Sequence, residues 1–66
     1  MDKTAISQRL RDLRGNIPQK DVSKATNIRQ STLSNYEKGL RIPNDNAKAK
    51  LARYYNVTID ELFFAS

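Results

Sequence analysis

Four uncharged polar residues recur at a spacing that puts them on one side of a helix. They occupy positions i, i+1, i+4 and i+5 of a single segment: Gln30, Ser31, Ser34 and Asn35. Amide and hydroxyl groups of this kind read base edges in the DNA major groove, and glutamine or asparagine can bond adenine through two hydrogen bonds. A solvent-facing helix more often carries pairs of opposite charge. The pattern therefore indicates recognition of bases, with a plain solvated surface as the alternative interpretation.

Residues suited to phosphate contact flank this polar set. Arg29 precedes it, and Lys38 and Arg41 follow it. A cation is unfavourable at a helix N-terminus, and a phosphate group near Arg29 would offset that cost. The free N–H groups at the start of a preceding helix, near Gln19 and Lys20, can hold a phosphate as well. Each of these side chains taken alone fits a solvated surface, so it is their common placement around one helix that indicates contact with a polyanion.

The composition of the chain limits the other kinds of chemistry. Its 66 residues include 12 basic and 7 acidic ones, a net charge of +5 at pH 7, and neither cysteine nor histidine. The charge favours a polyanionic partner. Disulfides, thiolate metal sites and imidazole bases are excluded. We therefore expect no enzymatic activity, no metal or other cofactor and no small-molecule ligand; the adjacent acids Asp60 and Glu61 are explained by the start of a helix.

Length and hydropathy indicate one soluble domain. A chain of 66 residues suffices for a single domain and not for two. No apolar run approaches the roughly 20 residues of a membrane span, and residues 1–10 lack the apolar centre of a signal peptide. We therefore expect no membrane association and a cytoplasmic location.

Glycine, proline and asparagine divide the chain into helical segments. The breaks fall at residues 15–18, at Asn27, at residues 39–43 and at Asn56. Between them the apolar spacing fits helices and not strands, which predicts five helices near residues 4–14, 18–26, 29–38, 44–55 and 58–64. Short helices with tight connections fit a compact bundle.

The apolar residues of each segment predict which side is buried. Helix by helix, the candidates are Ile6, Leu10 and Leu13; Val22, Ala25 and Thr26; Ile28, Leu33 and Tyr36; Leu51, Ala52 and Tyr55; and Ile59, Leu62 and Phe63. We expect Thr4 and Thr58 to cap the first and the fifth helix, and Gly15 to end the first.

Residues 19–38 predict two helices that cross steeply over a short turn. Such a turn usually needs one residue with positive φ, and asparagine is among the few residues besides glycine that tolerate it. Asn27 stands where this residue is needed. The segment therefore has the pattern of a helix-turn-helix.

A longer ordered set of residues resembles the helix-turn-helix family of phage repressors, Cro proteins and bacterial regulators of the xenobiotic-response-element type. The set consists of Arg9-Leu10-Arg11-Asp12-Leu13-Arg14, Gln19, Ser31-Thr32-Leu33-Ser34, Tyr36-Glu37-Lys38-Gly39, Arg41, Pro43, Leu51-Ala52 and Asn56-Val57-Thr58-Ile59-Asp60-Glu61-Leu62-Phe63. The resemblance covers nearly the whole chain. It implies an all-α fold, a compact five-helix DNA-binding domain of the lambda-repressor-like type whose second and third helices form the helix-turn-helix.

The resemblance also implies roles for particular residues. Base edges would be contacted by Gln30, Ser31 and Asn35, with Ser34 as a weaker candidate. The DNA backbone would be contacted by Gln19, Thr32, Arg29, Lys38, Arg41 and Asn44, to which the helix-start argument adds Lys20. Gln19 would also brace Gln30. Arg14 and Glu37 would form a partly buried ion pair that joins the first and third helices, a structural role.

The chain departs from the family pattern at several positions. Pro18 replaces a hydroxyl residue before Gln19, and Arg29 stands where a capping serine or threonine is common, which predicts a weak cap for the third helix. Asp45 and Lys48 occupy positions that are often apolar. We expect them either to leave the start of the fourth helix more exposed or to form an i, i+3 ion pair.

The leading hypothesis is a sequence-specific transcriptional repressor or regulator that binds double-stranded DNA as a homodimer on a pseudo-palindromic operator. The candidate dimer interface consists of Phe63, Phe64, Leu40 and Ile42. The alternative is a protein-interaction module, such as an antitoxin or a partner-binding regulator, that uses the same fold. RNA binding fits the charge but lacks an aromatic platform for stacking bases.

Overall fold

The computed structural model describes residues 3–63, and five α-helices lie within them. In chain order they are α1 Lys3–Arg14, α2 Gln19–Thr26, α3 Gln30–Glu37, α4 Asp45–Tyr55 and α5 Ile59–Phe63. Helix α3 packs against both α1 and α2, α5 packs against α1 and α4, and α2 also contacts α4. This architecture confirms the expected fold class. Helix ends within the described residues differ from the predicted ones by at most one residue.

One hydrophobic core joins all five helices. Its buried members are Ile6, Leu10, Val22, Leu33, Tyr36, Ala47, Leu51, Ala52, Leu62 and Phe63. Most of them recur at three- or four-residue spacing, so each helix buries one stripe. Burial of a large aliphatic side chain contributes about 1.5–3 kcal/mol. The core therefore fixes the orientation of every helix, including the outward side of α3.

Two residues predicted to be buried are exposed instead. Ala25 lies on the outer side of α2, and Ile59 retains 41% of its surface. Ile59 opens a helix of only five residues, and Val57 packs against the core just before it. Spacing within such a short helix does not determine which apolar residue reaches the core.

Left-handed residues end the helices at four places. Gly15, Asn27, Gly39 and Asn56 have φ values between 52° and 75°. Asn27, at φ 58°, has the conformation predicted for the turn between α2 and α3. The expectation for Thr4 is wrong, because this residue lies inside α1, which already includes Lys3. Among the helices of residues 3–63, none is both long enough and apolar enough to span a bilayer.

Candidate nucleic-acid interface

Helices α2 and α3 are held together by their apolar sides and by the turn between them. Val22 and Leu33 are buried at the centre of the pair, and Ile28 packs beside them. The Ser23 hydroxyl donates to the Ile28 carbonyl at 2.5 Å, and the Ile28 N–H donates to the Thr26 hydroxyl oxygen at 3.4 Å. Hydroxyl groups thus satisfy the backbone of the turn, which fixes the approach to α3.

The outer side of α3 carries the four residues singled out by their spacing. Gln30 and Ser31 are exposed, whereas Ser34 and Asn35 are half-buried. The inner side of the same helix buries Leu33, Tyr36 and Glu37. The polar set is therefore presented outward on one side, as a base-reading helix requires.

Both helices begin without a side-chain cap. Pro18 and Arg29 occupy the N-cap positions with extended ψ values of 140° and 142°, and neither side chain accepts a bond from its helix. This confirms the weak cap predicted for α3. The first N–H groups of a helix have no intrahelical acceptor. The starts of α2 and α3 therefore offer donors to an external anion such as a phosphate.

The remaining candidates for backbone contact lie at the starts of α2 and α3 and in the segment that follows α3. Lys20, Arg29, Lys38, Arg41 and Asn44 are exposed. Gln19 and Thr32 are half-buried. The Asn44 side-chain oxygen accepts the Ala47 N–H at 2.9 Å and so caps α4. Its amide hydrogens are still available, which makes a structural cap and a phosphate contact compatible in one residue.

A Schellman-type turn at the end of α3 folds the following loop back onto the helix. Gly39, at φ 75°, lets the Leu40 N–H donate to the Asn35 carbonyl at 2.9 Å. The Arg41 N–H donates to the same carbonyl at 3.3 Å, and the Gly39 N–H donates to the Tyr36 carbonyl at 3.2 Å. The loop that carries Arg41 is thereby fixed beside Asn35.

A buried carboxylate connects α1, α2 and α3. Glu37 Oε2 accepts from Arg14 Nε at 2.7 Å, which is the ion pair that the resemblance implies. Glu37 Oε1 accepts from Gln19 Nε2 at 3.2 Å. The hydrogen bond to Glu37 raises the pKa of Arg14. Burial raises the pKa of Tyr55 to about 12, and the negative charge of Glu37 adds to that rise.

Two of these contacts differ from or extend the sequence-based expectations. Gln19 is bonded to Glu37 and does not brace Gln30 in this structure. The sequence did not predict the contact of Arg11, whose Nη1 donates to the Glu37 carbonyl at the end of α3, where a cation complements the helix dipole. Only the spacing of Arg11 and Arg14 could have indicated this contact, because residues three positions apart share one side of a helix.

The four candidate interface residues have different environments. Phe63 is only 4% exposed and belongs to the core, which corrects its assignment to a subunit interface. Phe64 lies outside the described residues. Ile42 is half-buried against the core, whereas Leu40 is 64% exposed. Leu40 is therefore the one member of this set, within residues 3–63, that offers a large free apolar surface.

The start of α4 has the predicted ion pair. Lys48 Nζ lies 3.9 Å from Asp45 Oδ1. The same nitrogen lies 5.3 Å from the centre of the Phe63 ring, a cation–π distance. The Lys48 ammonium group thus lies over the ring of a buried residue, at a position that is often apolar in the family. Residues 3–63 hold no group of three acidic, histidine or cysteine side chains that could bind a metal ion.

Comparison with known proteins agrees with this geometry. A family model described as helix-turn-helix matches residues 4–62. The HTH-type transcriptional regulator ImmR of Bacillus subtilis (strain 168) is 35% identical over 60 residues, which cover 88% of this chain and 47% of that protein. The chain thus spans about half the length of this relative. No solved structure matches the chain. On the family match, the chain belongs to the helix-turn-helix family of the xenobiotic-response-element type.

Proposed function

We propose that this chain binds double-stranded DNA at a specific operator and regulates transcription there. The observation that carries the proposal is the outer side of α3, where four hydrogen-bonding side chains lie on a helix that, like α2, begins without a side-chain cap. In a major groove this arrangement would present amides and hydroxyls to bases and free N–H groups to phosphates. The family membership and the net charge of +5 support it.

The chemistry of each side chain suggests whether it would contact bases or phosphates. Gln30, Ser31 and Asn35, with Ser34 as a lesser contributor, would determine sequence preference. The phosphate contacts would come from Gln19, Lys20, Arg29, Thr32, Lys38, Arg41 and Asn44, and they would supply affinity that decreases with salt. Repression would be steric, because a bound domain excludes polymerase or a competing regulator from the same site.

A homodimer on a pseudo-palindromic site is the expected assembly. One domain spans one half-site, and a two-fold dimer matches two half-sites one helical turn apart. The exposed side chain of Leu40 is the surface that favours such a contact. Sedimentation with and without a palindromic duplex tests it: two chains per duplex are expected, and one chain on a two-half-site duplex would refute it.

The decisive experiment is selection of bound sequences from a random duplex pool, followed by affinity measurements on the selected site. Asn35→Ala and Gln30→Ala should each cost roughly 1–3 kcal/mol there and much less on a scrambled duplex. Gln8→Ala, an exposed glutamine on α1, is the matched control. Equal weakening on both duplexes would contradict the assignment of base contacts.

Lys38 tests the phosphate contacts separately. Lys38→Ala should weaken binding to every duplex alike and reduce the salt dependence by about one in slope. Lys50→Ala, on α4, removes the same charge outside the proposed interface and should leave the slope nearly unchanged. If both variants change the slope equally, the charge acts at long range and Lys38 makes no direct contact.

The exposure of Leu40 also favours the alternative of a partner-binding module. The two functions give opposite results in the pool selection. A module that only binds proteins enriches no sequence, whereas a DNA-binding regulator enriches one.

A further inference from the structure

We propose that Glu37 is a positioning residue for DNA binding, because its buried carboxylate holds the amide of Gln19 in the orientation that a phosphate contact needs. The inference rests on the proposed function, in which Gln19 contacts the DNA backbone at the start of α2. It assigns Glu37 a role in binding that is distinct from its ion pair with Arg14.

The two oxygens of the carboxylate serve two different helices. Glu37 is 7% exposed, so its carboxylate depends on neighbouring donors and not on water. Oε2 is 2.7 Å from Arg14 Nε of α1, and Oε1 is 3.2 Å from Gln19 Nε2 of α2. Because each oxygen has its own partner, loss of the ion pair and loss of the amide contact are separable events.

The chemistry of the carboxylate determines which way the Gln19 amide faces. An ionised carboxylate only accepts hydrogen bonds, so the amide nitrogen must point toward it and the amide oxygen away. One amide hydrogen is then used internally and the second remains available. The backbone N–H of Gln19, the first residue of α2, has no partner among the described residues either. A single residue thus retains two unused donors at an uncapped helix start.

Orienting the Gln19 side-chain amide in the unbound chain favours DNA binding. A free glutamine side chain samples several rotamers and both amide orientations, and ordering it on binding costs conformational entropy. The bond to Glu37 removes part of that cost in the unbound chain. Since the target is a phosphate, the benefit is the same for every DNA sequence.

The test is a double-mutant cycle on the duplex that wild-type chain selects from a random pool. Glu37→Met should weaken binding by about three- to tenfold when Gln19 is present and by clearly less in the Gln19→Ala background, because the two residues act as one unit. The ratio of affinities for the selected and scrambled duplexes should stay constant. A purely structural role would loosen α3 and lower that ratio instead.

Matched variants separate the ion pair from the amide contact. Arg14→Met removes the ion pair and leaves the Gln19 acceptor in place, so it should show no coupling to Gln19→Ala. If Glu37→Met does not fold, the cycle is run in the Arg14→Met background, where loss of Glu37 no longer leaves the Arg14 charge unpaired. The side-chain amide resonances of Gln19 in ¹⁵N spectra of the free chain should shift and narrow on loss of Glu37.

The outcomes are distinct. If wild-type chain selects no duplex, the proposed function fails. If it binds and Gln19→Ala weakens binding, but Glu37→Met costs the same with and without Gln19, the positioning role is overturned and the proposed function stands. Unchanged amide resonances of Gln19 in Glu37→Met would overturn it as well.

Discussion

The helices of the α2–α3 segment and those of the α4–α5 segment begin in opposite ways. At α4, Asn44 Oδ1 accepts the Ala47 N–H at 2.9 Å. At α5, Thr58 Oγ1 accepts the Glu61 N–H and Glu61 Oε1 accepts the Thr58 N–H, both at 3.0 Å, which is a capping box. At α2 and α3, the N-cap positions are occupied by Pro18 and Arg29, whose side chains accept no hydrogen bond from the helix.

This difference separates two sources of helix stability. Helices α4 and α5 each have one of their first N–H groups bonded to a capping side chain. The helices proposed to face DNA leave these groups open and depend on packing, with Val22 fully buried and Leu33 at 3% exposure. The C-terminal ends do not differ in this way, because left-handed residues end helices in both segments. The contrast is therefore confined to the helix starts.

The largest effect is expected from removing the packing on which α3 depends. Leu33→Ala should destabilise the fold by roughly 2–5 kcal/mol, because the cavity adds to the lost burial. A single core of this size supplies only about 3–5 kcal/mol, so the variant should be largely unfolded. Urea unfolding followed by circular dichroism measures it. Leu40→Ala, at an exposed leucine, is the control, and equal losses in both variants would contradict the dependence of α3 on its core contact.

A smaller effect of opposite sign is expected from giving α3 a cap. Arg29 already has the extended conformation that capping serines adopt. Arg29→Ser should therefore be more stable than Arg29→Ala by about 1 kcal/mol. Both variants lose the same charge, so their stability difference isolates the cap. DNA affinity should fall in both, and further in Arg29→Ser if its hydroxyl occupies the N–H that a phosphate uses. Equal thermal unfolding midpoints for Arg29→Ser and Arg29→Ala would mean that the first N–H groups of α3 gain nothing from a side-chain acceptor.

The smallest effect concerns the pH dependence of the α5 cap. Hydrogen bonds from the backbone and hydroxyl of Thr58 lower the pKa of Glu61 in the folded chain. The stability that this contributes is present above the ordinary pKa of glutamate and is lost as pH falls through the lowered value. Glu61→Gln should therefore flatten the acid side of the stability profile relative to wild type. Asp60→Asn changes the same charge at the neighbouring position, and an identical profile for both variants would exclude the capping box as the cause.

Features that depend on local chemistry were predictable from the sequence. Asn27 was expected to be left-handed because few residues tolerate that conformation, and the weak cap at Arg29 follows from a side chain without an acceptor. Thr58 was expected to cap α5 for the same kind of reason. In each case the determining atoms lie within a few residues of one another.

Features that depend on tertiary packing were not predictable in the same way. Ile59 and Phe63 both fit the apolar pattern of α5, but only the arrangement of the other helices decides that Phe63 is buried and Ile59 is not. The bond between Gln19 and Glu37 joins residues 18 positions apart, and no local pattern indicates it. The candidate base-reading residues could be identified from their side-chain types and their spacing, because α3 is a regular helix.

The anchoring of the loop after α3 has a consequence for changing what the domain recognises. Leu40 and Arg41 are held by the main-chain carbonyl of Asn35, and the Asn35 side chain takes no part in those two bonds. Position 35 can therefore accept other side chains without releasing the loop that carries Arg41. Under the proposed function, variants that differ only at this position would keep the phosphate contact of Arg41 and prefer different bases. The fold would then combine a replaceable base-contacting position with a fixed phosphate-contacting one in neighbouring stretches of chain.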